Sequence, residues 1–532
     1  MAVQEPEFVR LLQQEIGDKV SYLGEQAPKE YFFQVDPANL VEVSSFIHEK
    51  LRAPLVVMTG TDEREMHGQF RLYYVFSVDW DDAFLTLLTG IDPVEPRFPS
   101  ITPVIPAAHW YEREVMDMLG LEPVGHPDPR RLVLHHDWPL GTHPLRKDFD
   151  LSKVVLNPPS TDYIFSEVRG DGAFFVPVGP IHAGIIEPGH FRFGAAGETV
   201  INLEARLFYT HRGLEKQCEG LPVERALVLA ERICGVCAYT HATAFCQAIE
   251  KIAEVELPLR AKYLRTIFLE LERLYNHIGD VGNICAGVGL AFGSSHGGRL
   301  KETLMQLNER LTGSRFLRGV NIPGGVRRDL SLQQQEDLSR TLAKVGEDFR
   351  EVTEILLNHE SMLDRLNSTG VLPLQAVEDL GVVGPAARAS GSGRDCRRDH
   401  PHLAYDEVEF KVPVYQSGDV LARMRVRLDE TVESLGIIRQ LLAKLPGTPG
   451  ELMVDPGDLP PYRAALGYAE SPRGDDYHWV MTGPDNTIFR YRIRSASYCN
   501  WPAVPLAVPG NIVPDFPLIN KSFELCYSCL DR

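Results

Sequence analysis

Apolar residues recur three and four apart around Leu12 to Ile16 and from Leu40 to Leu51, which predicts helices, whereas Leu55-Val56-Val57-Met58 and Leu72 to Val78 are rich in β-branched and aromatic residues, which predicts strands. Residues 1–155 therefore read as a small mixed α/β domain. A linker at 156–170 begins with Leu156-Asn157-Pro158-Pro159-Ser160, and helical periodicity dominates beyond it. Pro222 opens a long pattern through Ala226, Leu229, Ile233, Ala244 and Ile249, and Pro258 opens a second through Leu264, Phe268, Leu271 and Leu274 to Ile278. Leu330 to Leu366 and Val420 to Leu445 supply two more. Short β-like segments lie at Ala173 to Val178, Val408 to Val412 and Thr487 to Ile493. The expected fold class is α+β: a small mixed α/β N-terminal domain, then a mainly α-helical bundle with flanking β segments over 171–532.

Composition narrows the class without naming a function. The 532 residues are 44% hydrophobic and 24% charged, as in a folded chain, and the net charge of -19 argues against a nucleic-acid partner. No run approaches the roughly 20 apolar residues that cross a bilayer, and Met1-Ala2-Val3-Gln4-Glu5 begins no secretory signal, so a cytoplasmic chain is expected. Nine unevenly spread cysteines do not resemble a disulfide framework.

The informative cysteines come in two Cys-x-x-Cys pairs, Cys234 with Cys237 and Cys526 with Cys529. Four thiolates suit a soft or borderline transition metal. By ligand count alone the set also fits structural zinc, and a redox dithiol or an iron-sulfur cluster are weaker alternatives. The helical pattern through Ile233 places Cys234 and Cys237 on one helix face, pointing into a core. Cys218, Cys246, Cys285, Cys396 and Cys499 are isolated and read as ordinary buried residues. Gly279 to Gly298 lacks the Gly-Lys-Ser/Thr ending of a phosphate loop. Taken alone, Glu187 beside Pro188 reads as a turn carboxylate, and Ser471-Pro472-Arg473-Gly474 reads as a turn. His241, one helical turn past Cys237, is either a core histidine or a donor to a sulfur. His211-Arg212-Gly213-Leu214-Glu215-Lys216 reads as a charge cluster with no firm role.

The flanks carry a resemblance. Glu231-Arg232-Ile233-Cys234-Gly235-Val236-Cys237 with His241, and Leu525-Cys526-Tyr527-Ser528-Cys529-Leu530-Asp531-Arg532, resemble the catalytic motifs of nickel-iron hydrogenase large subunits. His109-Trp110-Tyr111-Glu112-Arg113-Glu114, Gly125-His126-Pro127-Asp128-Pro129-Arg130-Arg131 and His143-Pro144-Leu145-Arg146-Lys147-Asp148-Phe149 resemble the 30-kilodalton subunit of respiratory complex I. Together they resemble the energy-converting, complex I-related hydrogenases of the formate hydrogenlyase type. The Gly, Pro and charge density after Gly120 suggests an extended arm, held by polar contacts, that docks on something.

That resemblance implies a nickel-iron centre, with Cys234 and Cys526 terminal on nickel, and Cys237 and Cys529 bridging to an iron that carries CO and cyanide. It makes Glu187, in Gly179-Pro180-Ile181-His182-Ala183-Gly184-Ile185-Ile186-Glu187-Pro188, a proton gate, and sets Arg473 above the metals. It implies 2 H+ + 2 e- to H2 as the reaction and Cys526 as the first proton acceptor. Implied partners are an iron-sulfur small subunit with a 4Fe-4S cluster, antiporter-like membrane subunits, ferredoxin-like electron-transfer subunits, formate or carbon monoxide dehydrogenase, and a maturation endopeptidase. The implied location is the cytoplasmic face of the inner membrane. Departures from the family pattern are Glu524 for aspartate, Leu525 for proline, Ala183 for proline and Arg532 for histidine. A fused complex I-like quinone reductase subunit and a zinc-binding scaffold remain the alternatives; the family's quinone-binding members lack both cysteine pairs.

Overall fold

A computed structural model of the chain describes residues 5–157, 163–182 and 186–532. The linker residues Pro158, Pro159 and Ser160, and Ala183 to Ile185 of the segment before Glu187, lie outside them. In the N-terminal part α1 (Glu7–Ile16) and α2 (Leu40–Glu49) bury one face each, through Phe8, Val9, Leu12 and Ile16 and through Leu40, Val43 and Ile47. Five strands, β1 (Val20–Ala27), β2 (Glu30–Val35), β3 (Leu55–Glu63), β4 (Gln69–Val78) and β5 (Ala83–Ile91), form a sheet in the order β1-β2-β5-β4-β3, parallel only between β2 and β5. Every residue of β3 is buried, so both faces of this edge are covered.

The second cover is the larger part of the chain. There a three-stranded antiparallel sheet of β6 (Ala173–Val178), β7 (His190–Ala196) and β8 (Thr199–Arg206) precedes the helices, and a second, of β9 (Ala464–Ser471), β10 (Gly474–Thr482) and β11 (Ile488–Arg494), follows them. Phe32, Val57, Tyr73 and Phe84 of the first sheet share one apolar cluster with Tyr468, Tyr477 and Trp479 of β9 and β10. Between them α3 (His109–Leu119) wedges in, and Arg490 and Arg494 of β11 donate to the carbonyls of Gly60 (3.1 Å) and Val56 (2.8 Å) on β3. The arm after Gly120 docks on this same chain: His135 Nε2 lies 2.9 Å from the Leu207 carbonyl oxygen and Lys147 Nζ donates to the Phe489 carbonyl (2.5 Å).

The helical core holds α4 (Val223–Ala230), α5 (Ala238–Ala253), α6 (Leu259–Gly287), α7 (Ala291–Thr312), α8 (Leu332–Leu357) and α9 (Val420–Lys444). Three expectations change here. The pattern from Pro222 to Ile249 is two helices, broken over Glu231 to Cys237. Leu330 to Leu366 breaks at Asn358 and His359. Val408 to Val412 is no strand, because no neighbour pairs with it. The stretch Gly279 to Gly298 is the crossing of α6 and α7, where a Cβ on Gly297 would lie 2.7 Å from the Gly282 Cα; its glycines serve close helix packing. The C-terminus closes with α10 (Phe516–Phe523) and α11 (Tyr527–Asp531).

Candidate metal centre

Cys234 and Cys237 lie in the break between α4 and α5, contrary to the expected continuous helix. The break is held by polar groups that a hydrophobicity pattern does not register. The Cys237 amide donates to Cys234 Sγ (3.2 Å), and Asn276 Nδ2 on α6 donates to the Val236 carbonyl (2.8 Å). Cys237 is the N-cap of α5 but caps nothing with its side chain. Instead Glu272 on α6 accepts from the amides of Tyr239 (2.7 Å) and Thr240 (2.9 Å) and from the Thr240 hydroxyl (2.5 Å), satisfying orphan donors at the helix start. Burial pushes the Glu272 carboxyl up to about 7. A buried acid thus fixes the helix that carries Cys237 and His241.

The second pair repeats the device. Cys526 is the N-cap of α11 and its Sγ accepts from the Cys529 amide (3.4 Å), while its own amide donates to Ser497 Oγ (3.1 Å). The sulfurs of Cys234, Cys237 and Cys529 lie within 4.8 Å of one another, all buried. Cys526 completes the set at its half-buried edge, its thiol interacting with Cys234 and Cys529. None of the nine cysteines is in a disulfide. Four thiols this close oppose each other's ionisation, and a cation among them is what lets all four become thiolates. The donor set therefore fits a thiophilic metal centre.

Around the sulfurs stand the other expected residues. His241 Nε2 is 3.4 Å from Cys529 Sγ, so its partner is a sulfur of the second pair. His241 Nδ1 is 2.9 Å from His478 Nε2, and His478 Nδ1 is 2.6 Å from the Tyr491 hydroxyl. All three side chains are buried, and burial pushes the His241 imidazole down to about 3 and that of His478 well below its ordinary range. In neutral rings each contact takes one proton. If Cys529 is a thiolate, His241 Nε2 must donate to it, His478 Nε2 to His241, and the Tyr491 hydroxyl to His478. Ionising one sulfur fixes the polarity of the whole chain.

Arg473 sits in the turn between β9 and β10, buried, with both terminal nitrogens on the Asp280 carboxylate of α6 (3.0 Å to Oδ1) and Glu524 at 3.9 Å. Burial works against its charge, but Asp280, Glu524 and Cys237 outweigh it and hold the guanidinium protonated. Gly474 allows the turn: at φ 131° a Cβ there would meet Val383 Cγ2 at 2.5 Å. Glu187 is half-buried and accepts from the amide (2.9 Å) and the hydroxyl of Ser528, the residue before Cys529. The structure thus brings Cys234, Cys237, Cys526, Cys529 and His241 together, with Arg473 within reach of the Cys237 charge and Glu187 held on the loop between Cys526 and Cys529.

Known proteins show the family. The respiratory-chain NADH dehydrogenase 30 Kd subunit family matches residues 33–155, the nickel-dependent hydrogenase family residues 212–280, and the NADH dehydrogenase 49 Kd subunit family residues 289–464 and 452–532. Formate hydrogenlyase subunit 5 of Escherichia coli (strain K12) is 41% identical over 93% of this chain and 87% of its own. The chain belongs to the complex I-related nickel-iron hydrogenase large subunits. Hydrogenase-4 component G of the same organism is 37% identical over 95% of this chain and 89% of its own. Among solved structures, a chain of the membrane-bound sulfane sulfur reductase, an archaeal respiratory membrane complex, is 28% identical with a TM-score of 0.64, covering 68% of this chain and 99% of that one.

As a hydrogenase large subunit, the chain carries groups that sequence reasoning passed over. Asp280 lies in a stretch whose sequence signal is its glycines, and Glu272 and Asn276 lie in a helix whose sequence signal is its apolar spacing. His478 and Tyr491 stand on strands with no motif around them. Glu524, a departure from the family's aspartate, lies beside Arg473; burial and the Asp280 charge push it up to about 7. No helix among the described residues is long and apolar enough to cross a membrane.

Proposed function

We propose that this chain is the catalytic large subunit of a membrane-associated nickel-iron hydrogenase that interconverts 2 H+ + 2 e- and H2, working toward proton reduction with formate, CO or reduced ferredoxin as the electron source. The observation that carries the reading is the convergence of four free cysteines from two distant segments on one buried point, in a member of this family. Cys234, Cys237, Cys526 and Cys529 would hold a nickel-iron centre whose iron bears CO and cyanide. When bound, the centre supplies an open position at which dihydrogen chemistry takes place.

The remaining work belongs to side chains. Cys526 Sγ, at the half-buried edge, is the first proton acceptor. Ser528 lies between the two cysteines of its pair, and its amide and hydroxyl hold the Glu187 carboxylate against this loop, so Glu187 can carry the proton toward solvent. Arg473, kept charged by Asp280, polarises what binds at the open position without titrating. His241 donates to Cys529 Sγ and moderates its charge. The other five cysteines are buried and apart from one another in the sequence, so electrons leave through an iron-sulfur small subunit with a 4Fe-4S cluster. Antiporter-like membrane subunits, ferredoxin-like subunits, a formate dehydrogenase and a maturation endopeptidase complete the expected partners, with the assembly on the cytoplasmic face of the inner membrane. Nickel, iron and zinc analysis of the purified complex tests the proposal: nickel with iron supports it, and zinc without nickel refutes it.

A further inference from the structure

The segment His211-Arg212-Gly213-Leu214-Glu215 takes no part in the chemistry above, yet its polar groups reach both cysteine loops. The Arg212 guanidinium donates to the carbonyls of Arg232 (3.0 Å) and Ile233 (2.7 Å), the two residues before Cys234. It also donates to the carbonyl of Ser528 (3.0 Å), between Cys526 and Cys529. Its backbone N–H donates to the Arg532 carbonyl (2.7 Å). On either side, His211 Nδ1 lies 2.5 Å from the Asp531 carbonyl oxygen, and Glu215 accepts from the Ile493 amide (3.0 Å) and the Arg532 guanidinium (3.0 Å). Just upstream, the amides of Phe208 (3.0 Å) and Thr210 (2.9 Å) donate to the Asp531 carboxylate.

We propose that this segment is a clasp that sets the register of the second cysteine pair against the first, with Arg212 as its positioning residue. Cys234 and Cys237 belong to a loop anchored on α6, while Cys526 caps α11 and Cys529 lies in it. No covalent bond joins the two loops. A planar fork of five N–H donors can serve three carbonyls at once, where a lysine ammonium is a point charge on a flexible stem. Arg212 is itself exposed, so water can take over the freed carbonyls when it is removed, and the fold does not depend on it. What is lost is the fixed spacing of the sulfurs. Groups that orient metal ligands from outside contribute about 10- to 100-fold in metal affinity.

The inference rests on reading the four thiols as a metal centre, and its test separates the two. Arg212→Ala and Arg212→Lys are made in the full complex, followed by nickel and iron content, nickel release to a chelator, and hydrogen-isotope exchange per bound nickel. Arg212→Ala should retain nickel about 10- to 100-fold less well, with exchange per bound nickel unchanged, and added guanidinium ion should restore retention. Arg212→Lys should fall between the two. Unaltered nickel retention in Arg212→Ala, or a lysine variant as retentive as the unaltered protein, would overturn the clasp. So would normal retention with exchange per nickel abolished, since Arg212 would then act in the chemistry. If Arg212→Ala does not accumulate, the lysine variant decides by its release rate. Absence of nickel from the unaltered complex would refute the metal reading instead.

Discussion

Asp280→Asn removes one negative charge from beside a buried arginine and keeps the side-chain shape. At an effective dielectric of about 20, a charge pair at the 3.0 Å of Asp280 is worth roughly 5 kcal/mol, and one at the 3.9 Å of Glu524 roughly 4. The second carboxylate can therefore take over most of the pairing. The single variant should lose only about 1–2 kcal/mol, part of it from the bond to Arg427 Nε (3.2 Å). Asp280→Asn with Glu524→Gln strands the cation and should cost about 3–5 kcal/mol, more than the two single losses together. The pH dependence has a definite sign. Glu524, pushed up to about 7 from an ordinary 4.5, holds its proton more tightly folded than unfolded. That contribution to stability is complete below about 4.5 and disappears as pH rises through about 7. Without the Asp280 charge Glu524 ionises earlier, and the decline with pH should shrink. Native-state hydrogen exchange at the Arg473-Gly474 turn in metal-free protein, at pH 5 and 8, reads these free energies locally. Strict additivity of the two substitutions at pH 8 would refute the substitution of one carboxylate for the other.

Four further outcomes are expected. Cys234→Ser should abolish nickel retention, because a serine hydroxyl stays protonated and is a harder ligand; metal analysis showing full nickel would contradict the ligand set. Glu187→Gln should keep nickel and iron but slow isotope exchange with water by at least about 100-fold, and exchange at the unaltered rate would send the proton elsewhere. Tyr491→Phe removes the last donor of the chain through His478 and His241, so metal content should hold while the reduction potential of the centre moves negative; an unmoved potential would show that the chain does not bear on Cys529. Burial works against a charge on His400, but hydrogen bonds to Asp79 and Asp82 outweigh it and raise its pKa, so its contribution across the two parts of the chain is complete below about 6.5 and lost as pH rises through the raised value. Exchange protection of β9, whose Tyr468 ring meets the His400 ring edge-on, should weaken over that window, and His400→Ala should remove the weakening.

The sequence and the structure agree best where the signal was local. The cysteine spacing is a local signal that reads directly as a ligand set, whereas Glu187 and Arg473, read alone, are turn residues and become site candidates only through the family resemblance. The helix break at Glu231 to Cys237 was illegible because Ile233 continues the apolar spacing. What holds the break is a set of bonds to other segments, Arg318 and Arg212 donating to the carbonyls of Glu231 to Ile233, Asn276 donating to that of Val236, and Glu272 accepting at the start of α5, and periodicity contains no record of partners. Asp280 illustrates the same limit: its role follows from Arg473, almost two hundred residues away, which no local pattern joins to it.

Strand β11 shows where pattern reading goes wrong in a more specific way. Arg490, Tyr491, Arg492, Ile493 and Arg494 alternate polar and apolar, which ordinarily marks a strand with one face in water. All three arginines are buried. Arg490 and Arg494 reach carbonyls of β3, and Arg492 pairs with Glu114 on α3, whose carboxylate also takes the Arg532 guanidinium (2.9 Å). The polar face is turned toward the N-terminal part instead of toward solvent. Fully buried β3 and arginine-bearing β11 thus carry complementary halves of one fact: β3 needs a cover for its second face, and β11 needs acceptors for its cations. Neither strand's sequence is explained until they are placed together. The contact ties α3 and the N-terminal sheet to the same residues that hold α11, so the N-terminal part belongs to the framework that carries the second cysteine pair.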